Sequence, residues 1–204
     1  MNAQLDQLVS GHPLIWRGGA PLSDDCSGMP TGFAELDAVL PTGGWPGNAL
    51  VEIVVERFGI GEISLLMSAM AGVTQQGGWL VWVTPPFLPY APALSKSGVD
   101  LSRLVVLNYE KSDRRVLWAM EQVLTAKACR MVVGWPHISD ERAVRRLQSA
   151  AASGDTLGVL FRTHEASTSP AALRLRLSRI DDTLQVTVLK ARGGWRRDSV
   201  LLEL

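Results

Sequence analysis

The chain contains a series of short, almost wholly apolar runs separated by helix-like segments, and this order limits the folds it can adopt. The runs are Leu50–Val55, Trp79–Val83, Leu104–Leu107, Met131–Val133 and Thr156–Phe161. Runs that are apolar on both faces are typical of parallel strands covered by helices. After residue 172 apolar residues alternate with other residues, at Leu173, Leu175, Leu177, Leu184, Val186, Val188, Val200 and Leu202. The patterns predict an α/β fold, with a mostly parallel sheet flanked by helices and antiparallel C-terminal strands.

The length and the spacing of turn-forming residues predict one folded unit preceded by an arm. With 204 residues, 47% of them hydrophobic, the chain can bury one core. Gly, Pro and Ser are frequent from Gly11 to Pro30, so we expect residues 1–30 to form a flexible arm and residues 31–204 a single domain.

Sequence features that would direct the chain to a membrane or to a metal are missing. It has no apolar run of about 18 residues and no signal peptide at Met1–Ser10, which predicts a cytoplasmic protein without membrane contact. Cys26 and Cys129 lie far apart and outside any C-x-x-C motif. We therefore interpret both as structural thiols and expect no metal site.

The segment after the first apolar run has the order of a phosphate-binding loop but not its residues. A working loop reads G-x-x-x-x-G-K-[ST], in which backbone N–H groups and the lysine hold phosphates and the hydroxyl holds magnesium. Here Gly61 keeps the second glycine, whereas Glu56, Glu62 and Ile63 replace the first glycine, the lysine and the hydroxyl. A carboxylate at Glu62 would repel phosphate. The segment is either a degenerate P-loop or a turn that never bound nucleotide, and we expect no cofactor.

Several short segments, taken in order, give the chain a family resemblance. They are Thr31-Gly32, Leu36-Asp37, Gly43-Gly44, Val51–Ile53 and Lys96–Asp100. In this order they resemble the RecA core, and within that superfamily the chain is most similar to the ImuA family, which is also related to SulA. The resemblance implies a RecA-like P-loop NTPase-type core.

The same resemblance implies that the catalytic chemistry has been lost. Gly134 stands where the RecA core has an aspartate, and Thr84-Pro85-Pro86 stands where it has the carboxylate that activates water. Neither position can supply a base. We therefore expect no enzymatic activity and name no catalytic residue.

Similarity to ImuA implies a non-catalytic adaptor in damage-induced (SOS) translesion DNA synthesis and mutagenesis. Its implied partners are an ImuB-like Y-family polymerase homologue and RecA, and, through the former, an error-prone C-family polymerase and the sliding clamp. Two alternatives remain open. One is a SulA-like cell-division inhibitor that binds FtsZ and blocks its polymerisation, and the other is an atypical nucleotide-dependent ATPase.

A Gly-rich segment between the last alternating runs is the first candidate for partner binding. It contains Arg192, Trp195, Arg196 and Arg197, and its position predicts a hairpin tip. Trp and Arg are enriched at interface hot spots, although base stacking or packing of Trp195 onto the sheet would also account for the pattern.

Two further segments are candidates for contacts with partners. Leu14, Ile15 and Trp16 are apolar residues in the arm, suited to strand addition or to packing on their own chain. Arg142, Arg145 and Arg146 share one helix and could contact nucleic acid weakly, or could form a solvated face.

Charge and proline content leave two more patterns to interpret. The formal net charge is zero, but residues 101–204 carry 17 Lys and Arg against 11 Asp and Glu, and residues 1–100 carry 3 against 9. A solvated surface explains this asymmetry better than a DNA-binding surface. The segment Pro85–Pro92 is either a polyproline ligand or a rigid connection between a strand and a helix.

Overall fold

A computed structural model describes residues 28–108, 113–137, 140–191 and 198–204. Within these ranges the strands are β1 Leu50–Val55, β2 Trp79–Val83, β3 Leu104–Leu107, β4 Cys129–Gly134, β5 Leu157–Arg162, β6 Leu173–Ile180, β7 Thr183–Ala191 and β8 Ser199–Glu203. The α-helices are α1 Ala34–Val39, α2 Met67–Gln75, α3 Ala91–Lys96, α4 Asp113–Thr125 and α5 Glu141–Gly154. Two 3₁₀ helices span Ser64–Leu66 and Leu101–Arg103.

The described strands form one mixed sheet in the order β3-β2-β4-β5-β1-β6-β7-β8. The first six strands in this order, β3-β2-β4-β5-β1-β6, run parallel to one another. Strand β7 is antiparallel to β6, and β8 is antiparallel to β7. The apolar runs of the sequence form β1 to β5, and the alternating segments form β6 to β8.

Two hydrophobic cores lie on opposite faces of the sheet. On one face, residues of β1 such as Ile53 pack with Leu36 of α1 and Met70 of α2. On the other face, Leu50 packs in a cluster that contains Met120 of α4. Every residue of β1 is buried and the strand contributes to both cores, which explains why it is apolar almost throughout.

The prediction of a RecA-like P-loop NTPase-type core is wrong. In the turn after β1, the backbone N–H groups of Gly59 and Ile60 donate to the carboxylate of Glu62, at N–O distances of 2.9 to 3.1 Å. Such N–H groups are the ones a phosphate-binding loop would offer to its ligand. A side chain of the protein already satisfies them, and it carries the same sign of charge as a phosphate.

Some sequence predictions fall on residues outside the described ranges. Leu14, Ile15 and Trp16 do so, as do Arg192 and the segment 195–197. The division between an arm and a domain at residue 30 also stays a prediction. Met29, in the predicted arm, forms an isolated bridge with Trp45, with reciprocal N–O distances of 2.7 and 2.8 Å. None of the helices in the described ranges is long and apolar enough to cross a membrane.

Candidate functional site

The three most exposed large apolar side chains of the described residues lie in one short segment after β2. Leu88 is 88% exposed, Tyr90 71% and Phe87 65%, compared with 57% for Trp118 and Leu201 elsewhere. We call residues 84–90 the β2–α3 segment. Clustered exposed apolar side chains mark interaction sites more often than scattered ones do.

The backbone of the β2–α3 segment keeps these side chains out of the core. Thr84 has φ +49°, which is costly for a β-branched residue, and its N–H donates to the carbonyl oxygen of Leu107 at 2.7 Å. Pro85, Pro86 and Pro89 fix φ and remove N–H donors, so the segment cannot extend a strand. The chain enters α3 directly afterwards, with a proline in the first turn.

A shallow groove of about 200 Å³ lies beside this segment. Its lining comes from the end of β2 and from the chain that follows β1, β2 and β4, and includes Ile63, Met67, Trp82, Leu94 and Trp135. The groove therefore lies at the carboxyl ends of the parallel strands, where open α/β sheets commonly bind their ligands.

Aromatic rings form a packed base beneath the groove. The rings of Trp82 and Trp135 meet edge to face with centroids 5.5 Å apart, and Trp135 stacks on Phe161 at 5.4 Å. Trp82 is only 4% exposed and Trp135 only 7%. The backbone N–H of Trp135 also donates to the carbonyl oxygen of Val83 at 3.3 Å. These contacts hold both indoles in fixed positions.

Two of the four residues predicted for a degenerate P-loop border this groove, and the four do not form a nucleotide site. Ile63 and the buried Glu62 line it, whereas Glu56 is exposed. Gly61 has φ +104°, and a Cβ there would lie 2.3 Å from Cδ1 of Leu204. The surviving glycine thus accommodates the C-terminal end of the chain rather than a phosphate.

The positions that correspond to the RecA carboxylates are filled by local packing. A Cβ on Gly134 would lie 2.4 Å from Cε of Met120, so the thioether occupies the space of an aspartate side chain. The hydroxyl of Thr84 donates to the carbonyl oxygen of Val83 at 2.9 Å. The atypical ATPase is therefore not supported.

The candidate arginines lie away from the groove. Arg142, Arg145 and Arg146 are exposed on α5, which packs on the opposite face of the sheet from the core that contains Trp82. Arg146 forms a hydrogen-bonded ion pair with Glu121 of α4. The hydrogen bond, together with the negative charge of Glu121, raises the pKa of the guanidinium. The contact of these arginines with nucleic acid stays a prediction.

The family described as "Cell division inhibitor SulA" matches residues 50–158, just over half of the chain. The chain belongs to the SulA family. The matched region includes β1, α2, the β2–α3 segment, β4 and Trp135, and so contains the lining of the groove.

Individual relatives carry the same description. The "Cell division inhibitor SulA" of Photorhabdus laumondii is 33% identical over 119 residues, which cover 57% of this chain and 66% of that protein. The one from Serratia proteamaculans is 29% identical over 134 residues, covering 65% and 79%. This chain thus spans about two thirds to four fifths of these relatives. The crystal structure of SulA from Pseudomonas aeruginosa has a TM-score of 0.46 at 20% identity, covering 55% of this chain and 96% of that one.

The family match corrects the identification made from sequence. Assignment to the ImuA family is wrong, and the adaptor function and the partners inferred from it are not supported: the ImuB-like protein, RecA, the error-prone polymerase and the sliding clamp. The SulA-like alternative is the one that the match supports. Three of the segments that suggested RecA lie before residue 50, outside the matched region.

Those early segments have local structural roles that explain their residues. The N–H of Thr31, just before α1, donates to Oδ1 of Asp37 within that helix at 3.0 Å, and this bond connects the chain entering α1 to the helix. Gly44 has φ +159°, and a Cβ there would lie 2.3 Å from the carbonyl oxygen of Met29. Short motifs of this kind arise from capping and close approach, so they do not specify a family.

Sequence reasoning missed the most exposed apolar residues. The interpretation of Pro85–Pro92 as a rigid connection or a polyproline ligand gives Phe87, Leu88 and Tyr90 no role. The sequence does carry a signal, because three large apolar residues stand among four prolines, where the backbone cannot continue a strand.

Proposed function

We propose that this protein is a cell-division inhibitor that binds FtsZ and blocks its polymerisation. The observation that carries the proposal is its membership in a family described as cell division inhibitors. We assign the contact to the groove and to the exposed residues Phe87, Leu88 and Tyr90.

The geometry suits binding without catalysis. The prolines and the packed aromatic rings fix the surface before a partner arrives, so little conformational entropy is lost on association. Exposed aromatic and leucine side chains around a groove provide the apolar centre that strong interfaces need. A cytoplasmic location and a role in the SOS response belong to the same proposal, which includes no enzymatic step.

The test is polymerisation of purified FtsZ with GTP, followed by light scattering and by sedimentation. Adding this protein in equimolar amount should reduce the sedimented polymer. Combined replacement of Phe87, Leu88 and Tyr90 by Ser should weaken inhibition by about tenfold or more, because truncating central apolar contacts removes most of the binding energy.

A matched variant separates this surface from a general loss of exposed apolar area. Trp118 and Leu201 are each 57% exposed and lie outside the groove lining. Replacing both by Ser should leave inhibition unchanged. Equal loss of inhibition in both variants would show that the contact is not at the groove, and unchanged polymerisation with the wild-type protein would refute the proposed function.

The hairpin tip and the arm are secondary proposals for partner contact. Ala substitutions at Arg192, Trp195, Arg196 and Arg197 should weaken FtsZ capture if the tip contributes. Ala substitutions at residues 14–16 test the arm in the same assay, and capture equal to the wild type would remove the segment concerned.

A further inference from the structure

The outer surface of α4 and α5 carries five arginines and one exposed tryptophan. Trp118 of α4 is 57% exposed. The arginines, which are exposed as well, are Arg114 and Arg115 of α4 and Arg142, Arg145 and Arg146 of α5. Among the side chains that the structure describes on these two helices, the only carboxylates are those of Glu121 and Glu141. Positive charge is therefore in excess on this surface.

The fold brings the exposed residues of the two helices side by side. α4 joins β3 to β4 and α5 joins β4 to β5, and because these strands are parallel the two helices run in the same direction. Both pack into one core, and Arg146 of α5 pairs with Glu121 of α4 on the outside. One helical turn before this pair, α4 carries Trp118 and α5 carries Arg142. The tryptophan and the arginines of both helices thus belong to one continuous surface.

Most of these arginines have no carboxylate to neutralise them. Among the residues that the structure describes, no ion pair is formed by Arg114, Arg115, Arg142 or Arg145. Glu121 is engaged by Arg146, and Glu141 accepts from the hydroxyl of Thr168. Like charges on neighbouring helical turns repel one another, so a bound polyanion would relieve this repulsion.

The residue types favour a nucleic acid over an acidic protein as the polyanion. Every cationic side chain of α4 and α5 is an arginine, whose planar guanidinium matches the geometry of a phosphate. An exposed indole offers a flat face on which an unpaired base stacks. An acidic peptide would neutralise the arginines and leave Trp118 in solvent. A duplex would do the same, because its bases are already stacked on one another.

We propose that this surface binds single-stranded nucleic acid through a base stacked on Trp118 and phosphates held by the arginines around it. Phosphate contacts carry no sequence information and every base has a stacking face, so the binding should be independent of sequence. The helices cover the opposite face of the sheet from the core that contains Trp82, so this contact is separate from the one proposed for FtsZ.

The first test is fluorescence anisotropy of a labelled oligothymidylate of about 15 nucleotides, at roughly 0.05 M salt. The wild-type protein should bind it with a Kd in the micromolar range. Trp118→Leu keeps an apolar side chain but loses the aromatic face, and it should weaken binding by about fivefold or more. Trp118→Phe keeps an aromatic face and should bind more tightly than the leucine variant. A solvated tryptophan without a stacking role would make the two variants equal.

A charge-matched pair of variants tests the arginines. For the wild-type protein, log K should fall with log salt concentration with a slope of about −3, because about four phosphates are neutralised. Arg142→Gln combined with Arg145→Gln should make this slope shallower by about 1 to 2. Arg57→Gln combined with Lys96→Gln removes two exposed charges outside α4 and α5, and should leave the slope unchanged. Equal changes in the two variants would show that only net charge matters, and would refute the site.

Competition identifies the polyanion. Unlabelled single strand should displace the probe at least about threefold more effectively than a duplex of equal length or polyglutamate of equal charge, because only the single strand can stack on Trp118. Equal competition by polyglutamate, or no binding of the probe at low salt, would refute the inference. A protein that binds the oligonucleotide but does not inhibit FtsZ would refute the proposed function and leave this site standing.

Discussion

Glu52 is a fully buried carboxylate in the middle of β1, and it depends on two arginines from the neighbouring strands. It forms ion pairs with Arg162 of β5 and with Arg174 of β6, the latter at 3.1 Å, and both arginine side chains are less than one tenth exposed. Arg174 also donates to the carbonyl oxygen of Ala166 at 2.9 Å. A charge that is buried this deeply needs partners of opposite charge, because only their attraction offsets the free-energy cost of removing it from water.

Removing the charge of Glu52 should therefore destabilise the fold strongly. Glu52→Gln leaves two buried guanidinium groups without their carboxylate, and we expect a loss of about 3–5 kcal/mol in the free energy of unfolding. Urea denaturation monitored by tryptophan fluorescence measures it.

The matched control is Glu165→Gln. Glu165 pairs with Arg176 near the surface, with side-chain exposures of 34% and 47%, so its loss should cost under about 1 kcal/mol. Equal effects of the two substitutions would contradict a special role for the buried cluster.

The turn between β1 and the first 3₁₀ helix is stabilised from within and from the C-terminal end of the chain. Glu62 closes it by accepting from Gly59 and Ile60, and the guanidinium of Arg179 lies 3.4 Å from the carbonyl oxygen of Ile60. Leu204 packs where a Gly61 side chain would be. The turn is thus a structural junction between β1, β6 and the end of β8.

Gly61→Ala should destabilise the protein by about 1–3 kcal/mol, because a left-handed residue acquires a Cβ and that Cβ collides with Leu204. Thermal unfolding measures the loss.

Deleting Leu204 should relieve the collision but not the backbone strain. In the chain that lacks Leu204, the Gly61→Ala substitution should therefore lower the stability of the fold by less than it does in the full chain, but by more than zero. An identical cost in both backgrounds would show that the turn and the C-terminal residue do not touch.

Cys129, the first residue of β4, provides a test of burial in the sheet. Cys129 is 4% exposed, and burial raises the pKa of its thiol from about 9.0 to about 11. The folded protein therefore holds the thiol proton more tightly than the unfolded chain does. This difference contributes to the stability of the fold fully below pH 9, and the contribution is lost as pH rises through about 11.

In a Cys26→Ser background, Cys129 should resist a thiol reagent at pH 8 until the protein unfolds. The stability difference between this protein and the same chain with Cys129→Ala should shrink between pH 9 and 11. Rapid labelling of the folded protein at pH 8 would contradict the burial.

The strands could be predicted from the sequence, because burial on both faces imposes continuous apolar runs. The candidate surface follows only in part, because an apolar residue type alone does not separate Val83, which lies in the core, from Leu88, which is exposed. Val83 is buried among the neighbours that β2 and β4 provide, whereas the prolines around Leu88 keep that residue out of the sheet. The prediction of the ImuA family is wrong because short Gly and Thr motifs such as Gly43-Gly44 reflect local geometry, whereas the family match depends on a long aligned region.

At the scale of the molecule, the two faces of the sheet present different chemistry to a partner. The groove side carries exposed apolar residues at the carboxyl edge. The opposite face is covered by α4 and α5, whose outer surface includes Arg114, Arg115, Arg142, Arg145 and Arg146. An apolar contact and a basic contact respond differently to salt, so ionic strength distinguishes which face binds FtsZ.

If the groove is the contact, affinity for FtsZ should change by less than about threefold when the salt concentration rises from roughly 0.05 to 0.3 M, because burial of apolar surface is little screened. Reversing the charge of Arg142, Arg145 and Arg146 to Glu should leave both the affinity and its salt dependence unaltered. If the affinity of the wild-type protein falls steeply with salt and this salt dependence disappears in the variant, FtsZ binds to the face formed by α4 and α5. Calorimetric titrations at four salt concentrations, with the wild-type protein and the reversed variant side by side, decide between the two faces.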